Sequence, residues 1–141
     1  MADYDRDNVF AKILRAEFPC HKVHEDDGTI VIMDIMPRGD GHALVIPKAP
    51  SRNILDIQAK DLSALYATVQ RVAKAAMSAF DADGVTIQQF NEPAGGQVVF
   101  HSHVHVLPRK EGVALRPHTG ERADDAVLAQ QAERLRRALA S

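Results

Sequence analysis

Seven histidines occur in 141 residues, and three of them fall within five positions in Phe100-His101-Ser102-His103-Val104-His105-Val106-Leu107-Pro108-Arg109. Imidazole is the side chain whose ordinary pKa lies near neutrality, so it serves as nucleophile, proton carrier or metal ligand. Read as a β-strand with period two, the segment turns His101, His103 and His105 to one face. Val98, Phe100, Val104 and Val106 take the other face and read as core. Three adjacent imidazoles must each be satisfied or paired, and they repel when charged. A solvated strand face more often carries Lys, Thr or Glu. Two chemistries remain open. Histidines at i and i+2 can bind zinc with further ligands from elsewhere. Alternatively, one neutral imidazole is a nucleophile for phosphoryl chemistry, and its neighbours orient it and protonate a leaving group. Gly95-Gly96-Gln97 precedes the segment and would let backbone N–H groups approach an anion. Arg109 and Lys110 follow it and are candidates to hold phosphate.

The elements that must position these groups alternate along the chain. Asp7 is placed to cap a short helix over Asn8–Glu17, which Pro19 ends. Strands are expected at Cys20–Glu25 and Thr29–Ile35, joined by the turn Asp26-Asp27-Gly28. A loop at Pro37–Gly41 leads to a strand over His42–Pro47. A turn follows around Ile54–Ile57. The strongest helical signal is Asp61–Phe80. There Leu62, Leu65, Tyr66, Val69, Val72, Ala73, Ala76, Met77 and Phe80 form one apolar stripe. Val85–Phe90 reads as a strand, Asn91–Gly96 as a turn and Val98–Leu107 as the longest strand. Loop chemistry runs from Pro108 to Gly120, and Glu121–Ala140 has helical composition. Strands with few helices between them imply an α+β fold on a mainly antiparallel five-stranded sheet with two helices, plus a C-terminal helical extension. Residues 1–110 form the main domain. Residues 111–141 form a loop and helical extension of the same domain.

Composition narrows the function. The chain is 45% hydrophobic and 26% charged, with 17 basic against 19 acidic residues, a net charge of −2. A domain built to wrap nucleic acid usually carries a basic excess. One cysteine excludes an internal disulfide and a four-cysteine zinc site. The longest apolar runs span four to five residues, against about 20 for a membrane helix. The acidic start MADYDRD lacks the form of a secretory signal. A cytoplasmic protein acting on a small molecule is expected, with neither nucleic acid nor membrane as partner.

The segment GGQVVFHSHVHVLPR resembles the signature of the histidine triad (HIT) family, H-φ-H-φ-H-φ-φ with φ apolar. NVFAKILRAEFP, HEDDGTIVIMDIMPRGDGHALVIPK and the Asp61–Phe80 helix resemble the rest of its domain in order, over residues 7 to 110. The likeness is to the Hint-like branch of nucleotide hydrolases rather than to the galactose-1-phosphate uridylyltransferase branch, whose motif is H-P-H. The resemblance implies that His103 attacks the α-phosphate of a purine nucleoside phosphoramidate and forms a nucleotidyl-histidine that water hydrolyses. It implies that His105 contacts the phosphate and helps protonate the leaving group. His101 orients the nucleophile, in part through its carbonyl, and His42 supports the phosphate side. Asp34 is implied for the ribose hydroxyls. Phe10, Ile13, Ile32 and Ile35 are implied for the base pocket, and Asn91, Gly96 and Gln97 for nucleotide contact. Alternatives are dinucleoside polyphosphate hydrolysis, a nucleotide-binding regulatory module with little turnover, and, further off, a zinc-dependent hydrolase. No cofactor is implied, and a homodimer is.

Departures from the family pattern are visible. Ser102 occupies an apolar φ position. Val98 stands where some relatives carry a phosphate-contacting serine. The stretch Asn8-Val9-Phe10-Ala11 lacks the C-x-x-C that some members use for zinc, and Pro50 occupies the later ligand position, so no structural zinc is expected. Relatives of the animal type end in a tryptophan-bearing tail that reaches the partner's site. This chain has no Trp and carries a helical tail.

Overall fold

A computed structural model describes residues 2–117 and 120–141. Helix α1 is Val9–Leu14, helix α2 is Ala59–Ala79 and helix α3 is Asp125–Ala140. The strands are β1 (Lys22–Glu25), β2 (Thr29–Met33), β3 (Ala43–Pro47), β4 (Gly84–Gln88) and β5 (Val104–Arg109). All neighbours pair antiparallel in the order β1-β2-β3-β5-β4, so the expected five-stranded α+β architecture is present. The β1–β2 turn forms because the Asp26 carboxylate accepts the N–H groups of Gly28 and Thr29, both at 2.9 Å. Burial works against that carboxylate, but hydrogen bonds from His24, Thr29 and Gly28 prevail and hold its pKa at about 2.

Strands β2 and β3 are buried on both faces, and alternation sorts their side chains into two cores. Val31, Met33, Val45, Val104 and Val106 pack beneath α2 and α3 with Leu65, Val69, Val72, Leu128 and Leu135. Ile30, Ile32, Leu44 and Ile46 pack on the opposite face with Phe10 of α1. His105 lies directly beside Leu44 in the β3–β5 register. The triad end of β5 therefore opens on the α1 face.

Several boundaries differ from the sequence expectation. Asn8, not Asp7, caps α1: Asn8 is extended and its Oδ1 accepts the Ala11 N–H at 2.9 Å. The α2 stripe buries Leu65, Val69, Val72, Ala76 and Phe80, together with Thr68 and Ala75, while Tyr66 and Met77 remain exposed. Strand β5 begins at Val104, not Val98, and continues through Pro108 and Arg109. Pro108 lies beyond the last β3 pair, Ala43 with Val106, so its missing N–H breaks no bond to that strand. Val98 is 82% exposed and belongs to neither core.

The stretch after β5 returns to the sheet. Arg116 N–H donates to the Arg38 carbonyl at 2.7 Å, and Arg38 Nε donates to the Arg116 carbonyl at 2.8 Å. Further along, Ala123 N–H donates to the Ile35 carbonyl at 2.9 Å. Helix α3 then packs Leu128, Ala132 and Leu135 into the core, and Gln131 Oε1 accepts the Gly41 N–H at 3.1 Å. Gly41 has φ +79°, and a Cβ there would lie 2.6 Å from the Phe80 ring, so only glycine fits beside His42. Among the described residues no helix is long and apolar enough to cross a membrane.

Candidate active site

Two of the three clustered histidines precede β5 in irregular backbone, so a single strand face does not align them. Main-chain hydrogen bonds do that work instead. Ser102 N–H donates to the Ser51 carbonyl at 2.9 Å, and the two serine hydroxyls meet at 2.7 Å. This is where the polar residue at an apolar family position finds its partner. His103 Nδ1 lies 2.6 Å from the His101 carbonyl, and His101 Nε2 lies 2.8 Å from the Pro47 carbonyl. A carbonyl only accepts, so each of these ring nitrogens carries a proton. His103 Nε2 is therefore left with a lone pair, as a nucleophile requires. Burial pushes the His103 pKa below its ordinary value, against the opposing effect of the His101 carbonyl. Burial likewise takes His101 to about 4. Both rings are neutral at physiological pH.

His42 and His105 are fixed differently. Arg38 N–H donates to His42 Nδ1 at 3.1 Å, so the His42 proton sits on Nε2. That Nε2 lies 2.8 Å from His105 Nδ1 and donates to it. His105 consequently carries its proton on Nε2. The His103 and His105 rings are 5.1 Å apart, centroid to centroid. Phe10 meets His103 edge-on at 4.8 Å, and Phe90 meets His105 edge-on at 5.5 Å. These aromatic walls lower the local polarity around the imidazoles.

Asp34 Oδ2 stands 3.5 Å from His42 Nε2, while its Oδ1 accepts the Met36 N–H at 2.9 Å. The carboxylate thus holds the turn before Pro37 and faces the imidazole pair. Asp34, His42 and His105 each offer one ligand atom, all within 4.8 Å of one another. The donor chemistry does not suit a metal. A ligating histidine normally donates its other N–H to an acceptor, whereas His42 Nδ1 faces a backbone donor. Metal at Nε2 would move the proton to Nδ1, where it would face the Arg38 N–H donor to donor, or would demand an imidazolate.

The remaining expected residues divide. Phe10 and Ile32 are buried together beside the site, with Ile13 half-buried against them. Ile35 is 42% exposed, and its carbonyl is taken by Ala123. Asn91 Oδ1 accepts the Ile54 N–H at 2.9 Å. Gly96 adopts φ +94° against the Phe90 ring. Gln97 changes role. Its amide donates to the Arg52 and Val99 carbonyls and accepts from Glu92 N–H and Asn53 Nδ2. All its hydrogen-bonding capacity is consumed, so it holds the loop rather than a nucleotide. Arg109 donates to Thr86 and Val113, and Lys110 pairs with Asp81, both away from the triad. His21 and His24 pair with Asp125 and Asp26 at the surface. His118 lies outside the described residues.

Two groups carried no sequence signal for this site. Tyr4 donates to His101 Nδ1 at 2.6 Å. Arg52 pairs with Glu92 at 2.7 Å and stacks on the Phe100 ring at 4.2 Å. Glu92 holds a left-handed φ of +66°, a conformation that this pairing and the Gln97 bond stabilise.

The histidine pattern, its geometry and the sheet agree with a match of residues 15–112 to the HIT domain. The chain belongs to the HIT family. It is 38% identical over 105 residues to the adenylylsulfatase HINT3 of Arabidopsis thaliana, covering 74% of this chain and 53% of that protein. The chain thus spans about half the length of that relative. An uncharacterized HIT-like protein of Mycobacterium tuberculosis is 38% identical over 104 residues, which is 74% of this chain and 72% of that protein. Among solved structures, a Hit-like protein from Bartonella henselae involved in cell-cycle regulation, crystallised with an unknown ligand, superposes with TM-score 0.91 at 46% identity. That match covers 96% of this chain and 99% of the other. A zinc-bound histidine triad protein from Mycobacterium smegmatis follows with TM-score 0.83 at 34% identity, covering 95% and 94%.

Proposed function

We propose that this HIT protein is a purine nucleoside phosphoramidase that releases a nucleoside monophosphate through a covalent nucleotidyl-His103. The observation that carries the reading is the pair of imidazole orientations: His103 presents a lone pair on Nε2, and His105 carries a proton on Nε2. In the first step His103 Nε2 attacks the α-phosphorus and the bond from phosphorus to the leaving nitrogen breaks. His105 Nε2–H hydrogen-bonds the leaving nitrogen and hands it a proton as a solvent proton takes its place on the ring, so His105 stays neutral. The nucleotidyl imidazolium retains Nδ1–H, whose positive charge the His101 carbonyl stabilises. Water then attacks phosphorus, gives up a proton to solvent through His105 and breaks the bond to His103. Phe10, Ile13 and Ile32 line the base side, and Asp34 serves the ribose hydroxyls.

The test is AMP release from an adenosine phosphoramidate in the presence of chelator. The wild-type chain turns over, and His103→Ala loses activity by on the order of 10³-fold or more. Release by the wild type no faster than by His103→Ala would sink the proposal. A soaked nucleotide places its phosphorus about 3–3.5 Å from His103 Nε2. The Arabidopsis relative's activity favours a second reading, an adenylyl group joined to sulfate, and a rate comparison between the two substrates separates them.

The enzyme acts as a cytoplasmic two-fold homodimer. Tyr66 and Met77 on α2 and Ile87 on the edge strand β4 leave an apolar surface exposed, and Gln89 Nε2 beside it is buried without a partner among the described residues. Light scattering at micromolar concentration reads twice the 15.5 kDa chain mass; a monomer mass contradicts the dimer. Residues 111–141 belong to the same domain, since α3 completes the helix-side core.

A further inference from the structure

We propose that Tyr4 is a positioning residue for the nucleophile: its phenol locks His101, so that the His101 carbonyl holds the His103 imidazole with Nε2 towards the phosphorus. Tyr4 lies ahead of the residues that match the HIT domain, which begin at position 15. The inference rests on the phosphoramidase reading for its kinetic consequence but not for its geometry.

Three hydrogen bonds run in series. Tyr4 Oη is 2.6 Å from His101 Nδ1. The Pro47 carbonyl fixes the His101 proton on Nε2, so Nδ1 is an acceptor and the phenol must donate. The His101 carbonyl then takes the His103 Nδ1–H. With the half-buried Tyr4 in place, His101 is 1% exposed. Without Tyr4 a buried ring nitrogen loses its partner, a situation that favours rotation of the ring. Rotation would take the Nε2–H away from the Pro47 carbonyl and would shift the carbonyl that orients His103.

The packing supports the same role. Tyr4 and His101 meet edge-on at 5.6 Å, and Phe10 meets both His101 and His103 edge-on. The Asn8 cap starts α1 between Tyr4 and Phe10, and its Nδ2 donates to the Asp5 carbonyl at 2.7 Å. The N-terminal segment and α1 therefore form one clamp on the nucleophile's side of the site. Tyr4 touches no reacting atom; it acts through His101.

The decisive experiment compares wild type with Tyr4→Phe by steady-state kinetics and by ¹⁵N NMR of the histidine rings. The variant keeps the ring and deletes only the donor. It lowers kcat about tenfold, the worth of one hydrogen bond in the transition state, and leaves KM within about twofold. In the same sample the His101 Nδ1 signal moves, because its hydrogen bond is gone. Fluorotyrosine incorporated at position 4 in a Tyr66→Phe background restores the donor, and kcat returns to near the wild-type rate. Only two tyrosines are present, so that labelling is specific. An unmoved His101 Nδ1 signal in Tyr4→Phe overturns the proposal, as does a kcat within twofold of wild type. A fall in kcat that fluorotyrosine fails to restore also overturns it and assigns the loss to packing. A wild-type chain without turnover would defeat the phosphoramidase reading instead, and the ring signal would still decide whether Tyr4 holds His101.

Discussion

The two halves of the site hold their imidazoles by different means. On the nucleophile side, His103 and His101 donate to main-chain carbonyls at 2.6 and 2.8 Å. On the proton-donor side, His105 is held by another side chain, His42, at 2.8 Å, and His42 in turn by the Arg38 N–H. Backbone acceptors survive any substitution that leaves the fold intact. A side-chain donor can be deleted by one mutation. The His103 side therefore keeps its main-chain acceptors under substitution, with the Tyr4 phenol as its side-chain support, while the His105 side depends on the His42 side chain alone for its proton.

The sharpest way to break this contrast is His42→Ala. Loss of the Nε2–H donor frees His105 Nδ1 to take the proton, which leaves the wrong nitrogen facing the substrate. A misplaced imidazole proton of this kind costs about a thousandfold or more in kcat in well-studied hydrolases. Steady-state kinetics of His42→Ala should show a loss of that order with stable, folded protein. A loss below about tenfold would mean that His105 is oriented without His42.

A smaller effect tests the nucleophile side. His101 titrates at about 4 in the folded chain against an ordinary value of 6.5. The unfolded chain therefore binds a proton that the folded chain refuses in this window, and stability falls as pH drops from 6.5 towards 4. At about 1.4 kcal/mol per pKa unit, His101 alone accounts for about 3 kcal/mol over the window. The depressed His103 adds in the same direction. Glu25 and Asp26, both held at about 2, add in the same direction only once the unfolded carboxylates begin to protonate, below about pH 5, so the slope above that pH is free of them. Urea denaturation at a series of pH values reads the slope; a flat curve between pH 6.5 and 4.5 would show that burial does not govern these rings.

Much of the fold was legible in the sequence because local rules decided it. The Asp26–Gly28 turn carries its own carboxylate acceptor, and the α2 stripe repeats clearly enough to mark a buried face. The histidine motif was legible as chemistry but misleading as geometry. A period-two pattern over Val98–Leu107 suggests one long strand, yet the chain before Val104 is held by the Ser51 carbonyl on Ser102 N–H and by the His101 ring on the Pro47 carbonyl at the end of β3, rather than by a strand ladder. Gln97 looked like a ligand because of its place beside two glycines. Its actual partners, Arg52, Asn53 and Glu92, lie up to 45 positions away or take an unusual backbone angle, and neither fact leaves a local trace. Tyr4 was invisible for the same reason. A tyrosine among aspartates gives no hint of a histidine 97 positions onward.

The seam that joins Arg38 to Arg116 has a consequence in time. Its two sides are 78 positions apart. Arg38 is also the residue whose N–H sets the His42 proton. During synthesis His103 emerges before Arg116 and before α3, whose Gln131 secures the neighbouring Gly41. The stretch from Arg38 to Gly41 can be locked from both directions only after those later residues have docked, and closing so long a loop is entropically slow. The imidazole proposed as nucleophile is thus made early and the proton on its neighbour is settled late, so a nascent chain carries His103 before it carries a complete site.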